Sequence, residues 1–278
     1  PVLFLRVATL EFGPVPAAAL RVAVATAILL PLVAWNGHLP VLRRHWRPVL
    51  AVGLVNSALP FACFAFALLH ITTGLSSILN ATVPLFGAVV AWAWLGERPG
   101  VSRTLRLALG FGGVAALTLT RQTGALAGST GSPMQVLAIG ACLFAAFSYA
   151  IAANFTRRHL AGLLTQVTAA GSLLGATLAL AVPALLTLPT AMPGPLAWMA
   201  ILASGALSTA LAYLLYFRLI ETAGPSRTLA VTFAIPVFAL AFGALFLGEA
   251  ITGIMIACGA VVLLGTALST GLLRLPRS

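Results

Sequence analysis

The sequence from residue 80 to residue 97 reads NATVPLFGAVVAWAWLGE, and the sequence from residue 232 to residue 249 reads TFAIPVFALAFGALFLGE. Both stretches hold a proline followed two residues later by phenylalanine, and both end in Leu-Gly-Glu. Each shared residue recurs 152 positions later, as Pro84 does at Pro236 and Glu97 at Glu249. An apolar composition alone poorly explains a Pro and a Gly-Glu pair held at one spacing. The chain is therefore predicted to contain two copies of one structural unit.

The composition around these stretches is that of a membrane protein. Of the 278 residues, 61% are hydrophobic and 7% are charged, which leaves too little polar surface to cover a soluble globule. A membrane-spanning helix needs about 20 mainly apolar residues. Nine segments meet this requirement: residues 16–35, 48–69, 73–95, 104–120, 134–156, 163–188, 196–217, 227–247 and 250–272.

The offset of 152 also predicts the division of the chain. It places the segment that begins at Met134 over residues that would start before Pro1, and Pro1 to Glu11 is apolar but only half as long as a span. We therefore expect ten transmembrane helices, with the first truncated in this sequence. The expected units are a first repeat at 1–123, a linker at 124–133, a second repeat at 134–272 and a cytoplasmic tail at 273–278.

Five spans in each unit would insert the second unit upside down relative to the first. The fold expected is all-α, with two inverted five-helix repeats, an arrangement that can open a central site to either side of a membrane.

The positions of the arginines predict the orientation of the chain in the membrane. One side of the membrane receives Arg43, Arg44, Arg47, Arg98, Arg103, Arg106, Arg157, Arg158, Arg218, Arg227, Arg274 and Arg277. The other side receives Arg121 and Arg6, so the C-terminus is predicted to be cytoplasmic.

Several function classes find little support in the residues. The net charge of +11 lies in short connections between apolar segments, where it orients the protein, and no nucleic acid partner is expected. Cys63, Cys142 and Cys258 lie far apart and are interpreted as packing residues, and no metal site or cofactor is predicted. An intramembrane enzyme is the alternative from another class. It would need a nucleophile with a base, or clustered carboxylates or metal ligands, which the scattered histidines do not supply.

Polar residues inside apolar spans are costly and usually face away from lipid, so they are the candidate cavity residues. Ser76 and Asn80 are four positions apart and share one helical face, and two threonines occupy the equivalent positions of the second unit. The alternative is that such side chains only bond neighbouring helices. The predicted substrate-binding residues are Asn56, Phe64, His70, Ser76, Asn80, Tyr149, Asn154, Ser208, Tyr213 and Thr232.

Two further features, a pair of prolines and one arginine, each have two interpretations. Pro84 and Pro236 lie within predicted helices, where proline removes a hydrogen bond, and they are candidate hinges or static kinks. Arg21 lies slightly inside the second helix, where it either pairs with Glu11 or extends to the membrane surface.

On the residues from Asn80 to Glu97 and from Ala234 to Glu249, the chain resembles the EamA-like branch of the drug/metabolite transporter superfamily. Residues 18–21, Ala-Ala-Leu-Arg, also resemble the second helix of that family. The resemblance implies ten helices in two five-helix repeats and a cavity lined mainly by helices one, three, four, six, eight and nine. Within the family the chain is most similar to bacterial inner-membrane exporters of amino acids, including aromatic ones, and related compounds.

The function expected is therefore export of a small-molecule substrate across the bacterial inner membrane by alternating access. The partners expected are that substrate and the lipid bilayer, with the protein a monomer or, alternatively, a homodimer. Proton-driven antiporters usually carry a titratable carboxylate deep in the membrane. The sequence has no Asp or Glu at the centre of a span, which favours uniport or exchange. A proton-coupled drug or metabolite antiporter is the alternative.

Overall fold

The computed structural model describes residues 2–96, 101–122, 132–223 and 225–269. In these ranges the regular structure is entirely helical. The first seven helices are α1 (Val2–Phe12), α2 (Pro14–Trp35), α3 (Leu39–Arg44), α4 (Trp46–Gly53), α5 (Leu59–Ala67), α6 (Thr73–Asn80) and α7 (Val83–Leu95). The others are α8 (Val101–Gln122), α9 (Pro133–His159), α10 (Thr165–Leu186), α11 (Pro195–Gly205), α12 (Ala212–Ala223), α13 (Pro225–Leu247) and α14 (Gly253–Ser269).

Six helical segments in the described ranges are long and apolar enough to cross a membrane. They are called rods below, and some of them join two of the helices named above. They are Pro14–Trp35, Trp46–Ala67, Thr73–Trp94, Pro133–His159, Thr165–Leu186 and Pro195–Leu215. Shorter apolar helices occupy Leu107–Thr118, Ala234–Leu247 and Gly253–Leu268. The predicted all-helical membrane protein is confirmed at this level. The short α3 lies in a connection where the sequence analysis expected no helix.

Local sequence explains where several helices begin and end. The Thr72 and Ser132 side chains accept hydrogen bonds from the backbone N–H groups of Leu75 and Gln135, which caps α6 and α9. Gly96 and Gly248 follow α7 and α13 with φ of 71° and 64°. This left-handed conformation carries little penalty for glycine and ends a helix.

Two rods contain π-helical turns. Leu54–Ala58 joins α4 to α5, and Ala206–Leu211 joins α11 to α12. A π turn widens the helix by one residue and is frequent at functional sites. The two turns begin 152 positions apart, at the spacing of the sequence repeat.

The two repeated prolines have different surroundings. The rod that holds Pro84 is interrupted at Ala81 and Thr82, and Pro84 lies in the first turn of α7, where a missing N–H costs little. Pro236 lies inside the continuous helix α13. Pro236 thus lies in a helix interior and Pro84 directly after a break within its span. That either proline is a hinge or a static kink stays a prediction.

Helices from the two predicted units pack against each other. α2 packs along α10, and α8 packs along α14. Close approach depends on glycines: a Cβ at Gly53 would lie 2.1 Å from the Ser172 carbonyl oxygen, and one at Gly205 would lie 2.9 Å from the Arg21 carbonyl oxygen. The predicted linker falls outside the described residues except for Ser132 and Pro133, and so does the predicted tail at 273–278.

Candidate functional site

Two adjoining cavities lie between the helices. The first, called the inner cavity, has a volume of about 180 Å³ and is bounded by α1, α2, α5, α6, α9 and α13. The second, of about 340 Å³, is bounded by the first π turn, α6, α7, α9, α13 and α14. Ser77, Asn80, Tyr149 and Ile235 line both, so the two spaces meet at these side chains. Sites for small molecules are typically such apolar clefts with a few convergent polar groups.

The structure brings half of the predicted binding residues together at these cavities. Those lining one or both are Asn56, Phe64, Ser76, Asn80 and Tyr149. Both predicted hinge residues, Pro84 and Pro236, line the second cavity. The Phe64 and Tyr149 rings stack with centroids 6.2 Å apart, which gives the inner cavity an aromatic wall.

The other predicted residues lie elsewhere. Asn154 donates hydrogen bonds to the carbonyl oxygens of Gly87 and Ala150, so its amide ties α9 to α7. His70 is half-buried in the turn after α5, with its ring 5.0 Å from that of Phe66. Ser208 is half-buried in the second π turn, at the position equivalent to Asn56.

Two predicted residues of the second unit remain. Tyr213 is half-buried and packs against a core cluster built mainly from α2 and α10. The Thr232 side chain lies outside the described residues, so the second polar stripe is not described.

Arg21 and Ser77 are cavity residues that the sequence analysis did not select. Arg21 is the charged one. It lies on α2, it is 8% exposed, and it lines the inner cavity. Its Nε–H donates to Thr209 Oγ1 at 3.0 Å, and its guanidinium carbon lies 4.1 Å from the centroid of the Phe61 ring. Both readings offered for it, pairing with Glu11 and extension to the membrane surface, are therefore wrong.

The two glutamates with described side chains form their contacts outside the two cavities. Glu11 Oε2 accepts from the Gly194 backbone N–H at 2.6 Å. Glu249 forms an ion pair with Arg6, N to O 2.5 Å, and accepts from the Thr73 backbone N–H and hydroxyl. Glu249 therefore holds the end of α13 against α1 and the start of α6.

Two polar atoms at the junction of the cavities have no protein partner. Asn80 Oδ1 and Ser77 Oγ are buried without a hydrogen bond in the described structure. A buried polar group without a partner costs free energy, and a ligand in the cavity would remove that cost. The described residues contain no cluster of His, Cys, Asp or Glu suited to a metal ion.

Comparison with known proteins identifies the family. The sequence profile of the EamA-like transporter family matches residues 2–119 and 136–271. The chain belongs to this family. Members of the EamA-like family, part of the drug/metabolite transporter superfamily, are transporters. The resemblance to the EamA-like family is therefore confirmed.

Two further comparisons show similar proteins. The chain is 24% identical over 248 residues to the uncharacterized transporter YvbV of Bacillus subtilis (strain 168), covering 86% of this chain and 76% of that protein. A solved crystal structure shares the fold with a TM-score of 0.66 and 22% identity, over 98% of this chain and 94% of the other. At this sequence identity, the comparison shows that the two proteins share a fold and nothing more. This EamA-like chain is thus a multi-pass helical membrane protein whose family function is transport.

Proposed function

We propose that this protein is a secondary transporter that exports small metabolites, amino acids or related compounds, by alternating access to the inner cavity. The observation that carries the proposal is the pair of adjoining cavities with Ser77, Asn80 and Tyr149 at their junction. Helices of both predicted units enclose these cavities, so a relative movement of the units would change access to them. The family resemblance implies six lining helices, and five of them border these cavities. In the family's order they are helix one (α1), helix three (α5 with the first π turn), helix four (α6 and α7), helix six (α9) and helix nine (α13).

Two inverted repeats are a common basis for alternating access, and equivalent features at the 152-residue offset support a repeat of this kind. The π turns recur, and so do the left-handed glycines Gly96 and Gly248. The tight contacts recur as well. Gly53 meets α10 near Ser172, and Gly205, 152 positions later, meets α2 near Arg21.

The inversion predicts opposite locations for the two Leu-Gly-Glu turns. Replacing the three native cysteines and introducing either Arg98→Cys or Ala250→Cys provides one thiol beside each turn. In intact bacterial cells, a membrane-impermeant maleimide should label the cysteine at position 250 and leave that at position 98 unlabelled until the cells are broken. Labelling of both or of neither in intact cells would contradict the inverted repeat and the cytoplasmic C-terminus.

For energy coupling we propose uniport or exchange. The glutamates with described side chains lie at helix ends and hold neighbouring elements together, which leaves no role for them as a central proton carrier. Substrate flux in proteoliposomes should therefore proceed without a proportional proton flux. A fixed ratio of protons to substrate would instead support the proton-coupled antiporter.

Asn80→Ala should lower transport efficiency about tenfold, because one hydrogen bond to a charged substrate group contributes about 1.5 kcal/mol. The measurement is uptake of a labelled panel of amino acids, drugs and sugars into proteoliposomes. Asn36→Ala, at an exposed asparagine outside the cavities, is the matched control and should transport normally. Unchanged uptake by Asn80→Ala would contradict the cavity assignment.

A further inference from the structure

The inner cavity contains one charge whose counterion the described structure does not supply. Arg21 is buried on α2 between the hydroxyl of Thr209 and the face of Phe61. A charge taken out of water in a membrane protein is costly unless it is paired. A hydroxyl and an aromatic face only partly replace a counterion.

No carboxylate in the described part of the chain reaches this guanidinium. Glu11 is bound to Gly194, and Glu249 is bound to Arg6 and Thr73. Tyr149, which lines the same cavity, is neutral at physiological pH and supplies no counter-charge. The hydrogen bond to Thr209 uses Nε–H, and a guanidinium has four further N–H donors on its terminal nitrogens. No described side chain or carbonyl accepts from those four.

The internal repeat indicates that the fold itself does not require this cation. The residue 152 positions after Arg21 is Leu173, which is fully buried in α10 against α2. The residue equivalent to Thr209 is Ser57, whose hydroxyl is buried without a partner in the described part of the chain. One unit therefore fills this position with an apolar side chain, while the other holds a positive charge beside a cavity.

We propose that Arg21 binds the carboxylate of the transported substrate. This inference rests on the proposed transport function and narrows its substrate to small organic acids, amino acids among them. Two terminal N–H groups of a guanidinium match the two oxygens of a carboxylate. One guanidinium pairs with one carboxylate charge, whereas a phosphate dianion would carry a second negative charge without a partner in a site of low dielectric constant.

The neighbouring residues suit the rest of such a molecule. Phe61, Phe64 and Tyr149 offer an apolar and aromatic surface for the substrate body. Asn80 Oδ1 and Ser77 Oγ, which have no partner among the described residues, can accept hydrogen bonds from a substrate ammonium or hydroxyl group. The close contact of Gly205 with the backbone of Arg21 fixes α2, so the guanidinium starts from a defined position.

The test compares acids with their neutral or amide counterparts. Proteoliposomes are loaded with labelled leucine, phenylalanine and threonine, or with the corresponding amino-acid amides. Wild type should move the acids at least about tenfold faster than the amides, as expected for a charge-assisted pair. Arg21→Leu should reduce that ratio to near one and should keep the melting temperature of the wild type, because Leu173 serves the same structural position in the other unit.

Controls separate binding from structure. Arg47→Gln removes another arginine that lies over an aromatic ring, Trp46, but outside the cavity, and it should preserve the ratio. Arg21→Lys keeps the charge without the paired donors and should recover part of the selectivity. An Arg21→Leu protein that retains the acid-to-amide ratio overturns the inference, and so does one that unfolds while Arg21→Lys transports both classes equally.

A second measurement does not depend on transport. Phenylacetate should raise the melting temperature of the detergent-solubilised wild type more than phenylacetamide does, and Arg21→Leu should abolish the difference. Equal protection of the wild type by both compounds overturns the Arg21 site. If neither acids nor amides cross the membrane while phenylacetate still protects selectively, the transport proposal fails and the carboxylate site stands.

Discussion

Gly53→Val is expected to destabilise the protein by about 3 kcal/mol or more, the upper end of the range for overpacked interiors. A Cβ at this position would lie 2.1 Å from the Ser172 carbonyl oxygen and 3.0 Å from the Ala176 backbone nitrogen. Both atoms belong to the backbone of α10, so a side-chain rotation cannot relieve the clash. Membrane helices associate through such small-residue contacts because lipid gives little hydrophobic drive for them to pair.

The measurement is the thermal midpoint of the purified protein in detergent, followed by the loss of the monodisperse peak in size-exclusion chromatography. Gly140→Ala is the matched control, since a Cβ there meets nothing within 4 Å and α9 continues on both sides. Removing that glycine should leave the midpoint unchanged or raise it slightly. A Gly53→Val protein as stable as Gly140→Ala would show that α4 and α10 are not in this close contact.

The course of the chain was largely predictable because its signals are periodic and strong. Apolar runs of membrane-spanning length predicted the long rods, and turn residues predicted most connections. The break before Pro84 was harder to foresee, since Ala81 and Thr82 are compatible with a helix. The structure shows why the break is tolerated: Thr266 on α14 donates a hydrogen bond to the Ala81 carbonyl oxygen, a contact across the fold that local sequence does not encode.

The candidate site was predictable only in part, because polarity does not reveal which way a helix face points. Asn80 and Asn154 look alike in the sequence, yet Asn80 lines both cavities while Asn154 bonds the backbone of α7. Arg21 was passed over because an arginine near a helix end usually extends to the membrane surface. A comparison across the 152-residue offset would have revealed it, since the charged Arg21 of the first repeat corresponds to Leu173 in the second.

Such asymmetry is what an inverted-repeat transporter is expected to need. Two similar units supply similar helices that can exchange conformations, but one asymmetric substrate needs different groups at its two ends. The tight glycine contacts and π turns recur in both units, whereas Arg21 and Asn80 have no charged or amide counterparts at Leu173 and Thr232. The glycine contacts and π turns, which occur in both units, thus suit a structural role. Arg21 and Asn80, which occur in one unit only, suit the proposed binding of substrate.

Glu249→Ala is expected to cost about 3–5 kcal/mol, as when one partner of a buried ion pair is removed. The Glu249 side chain is 8% exposed, against 26% for its partner Arg6. Its carboxylate also accepts from Thr73 N–H at 2.9 Å and from the Thr73 hydroxyl at 2.7 Å. The change would leave an unpaired arginine and uncapped donors at the start of α6, which itself borders the inner cavity.

The same thermal midpoint measures this effect, and a double-mutant cycle with Arg6→Ala isolates the ion pair. The double variant should be destabilised less than the sum of the two single variants, because removing both partners leaves no unpaired charge. Glu11→Ala is the matched control, since its carboxylate is exposed and accepts from one backbone N–H. If Glu249→Ala proved no more damaging than Glu11→Ala, or if the two single effects simply added, Glu249 would not be the residue that holds α13 to α1 and α6.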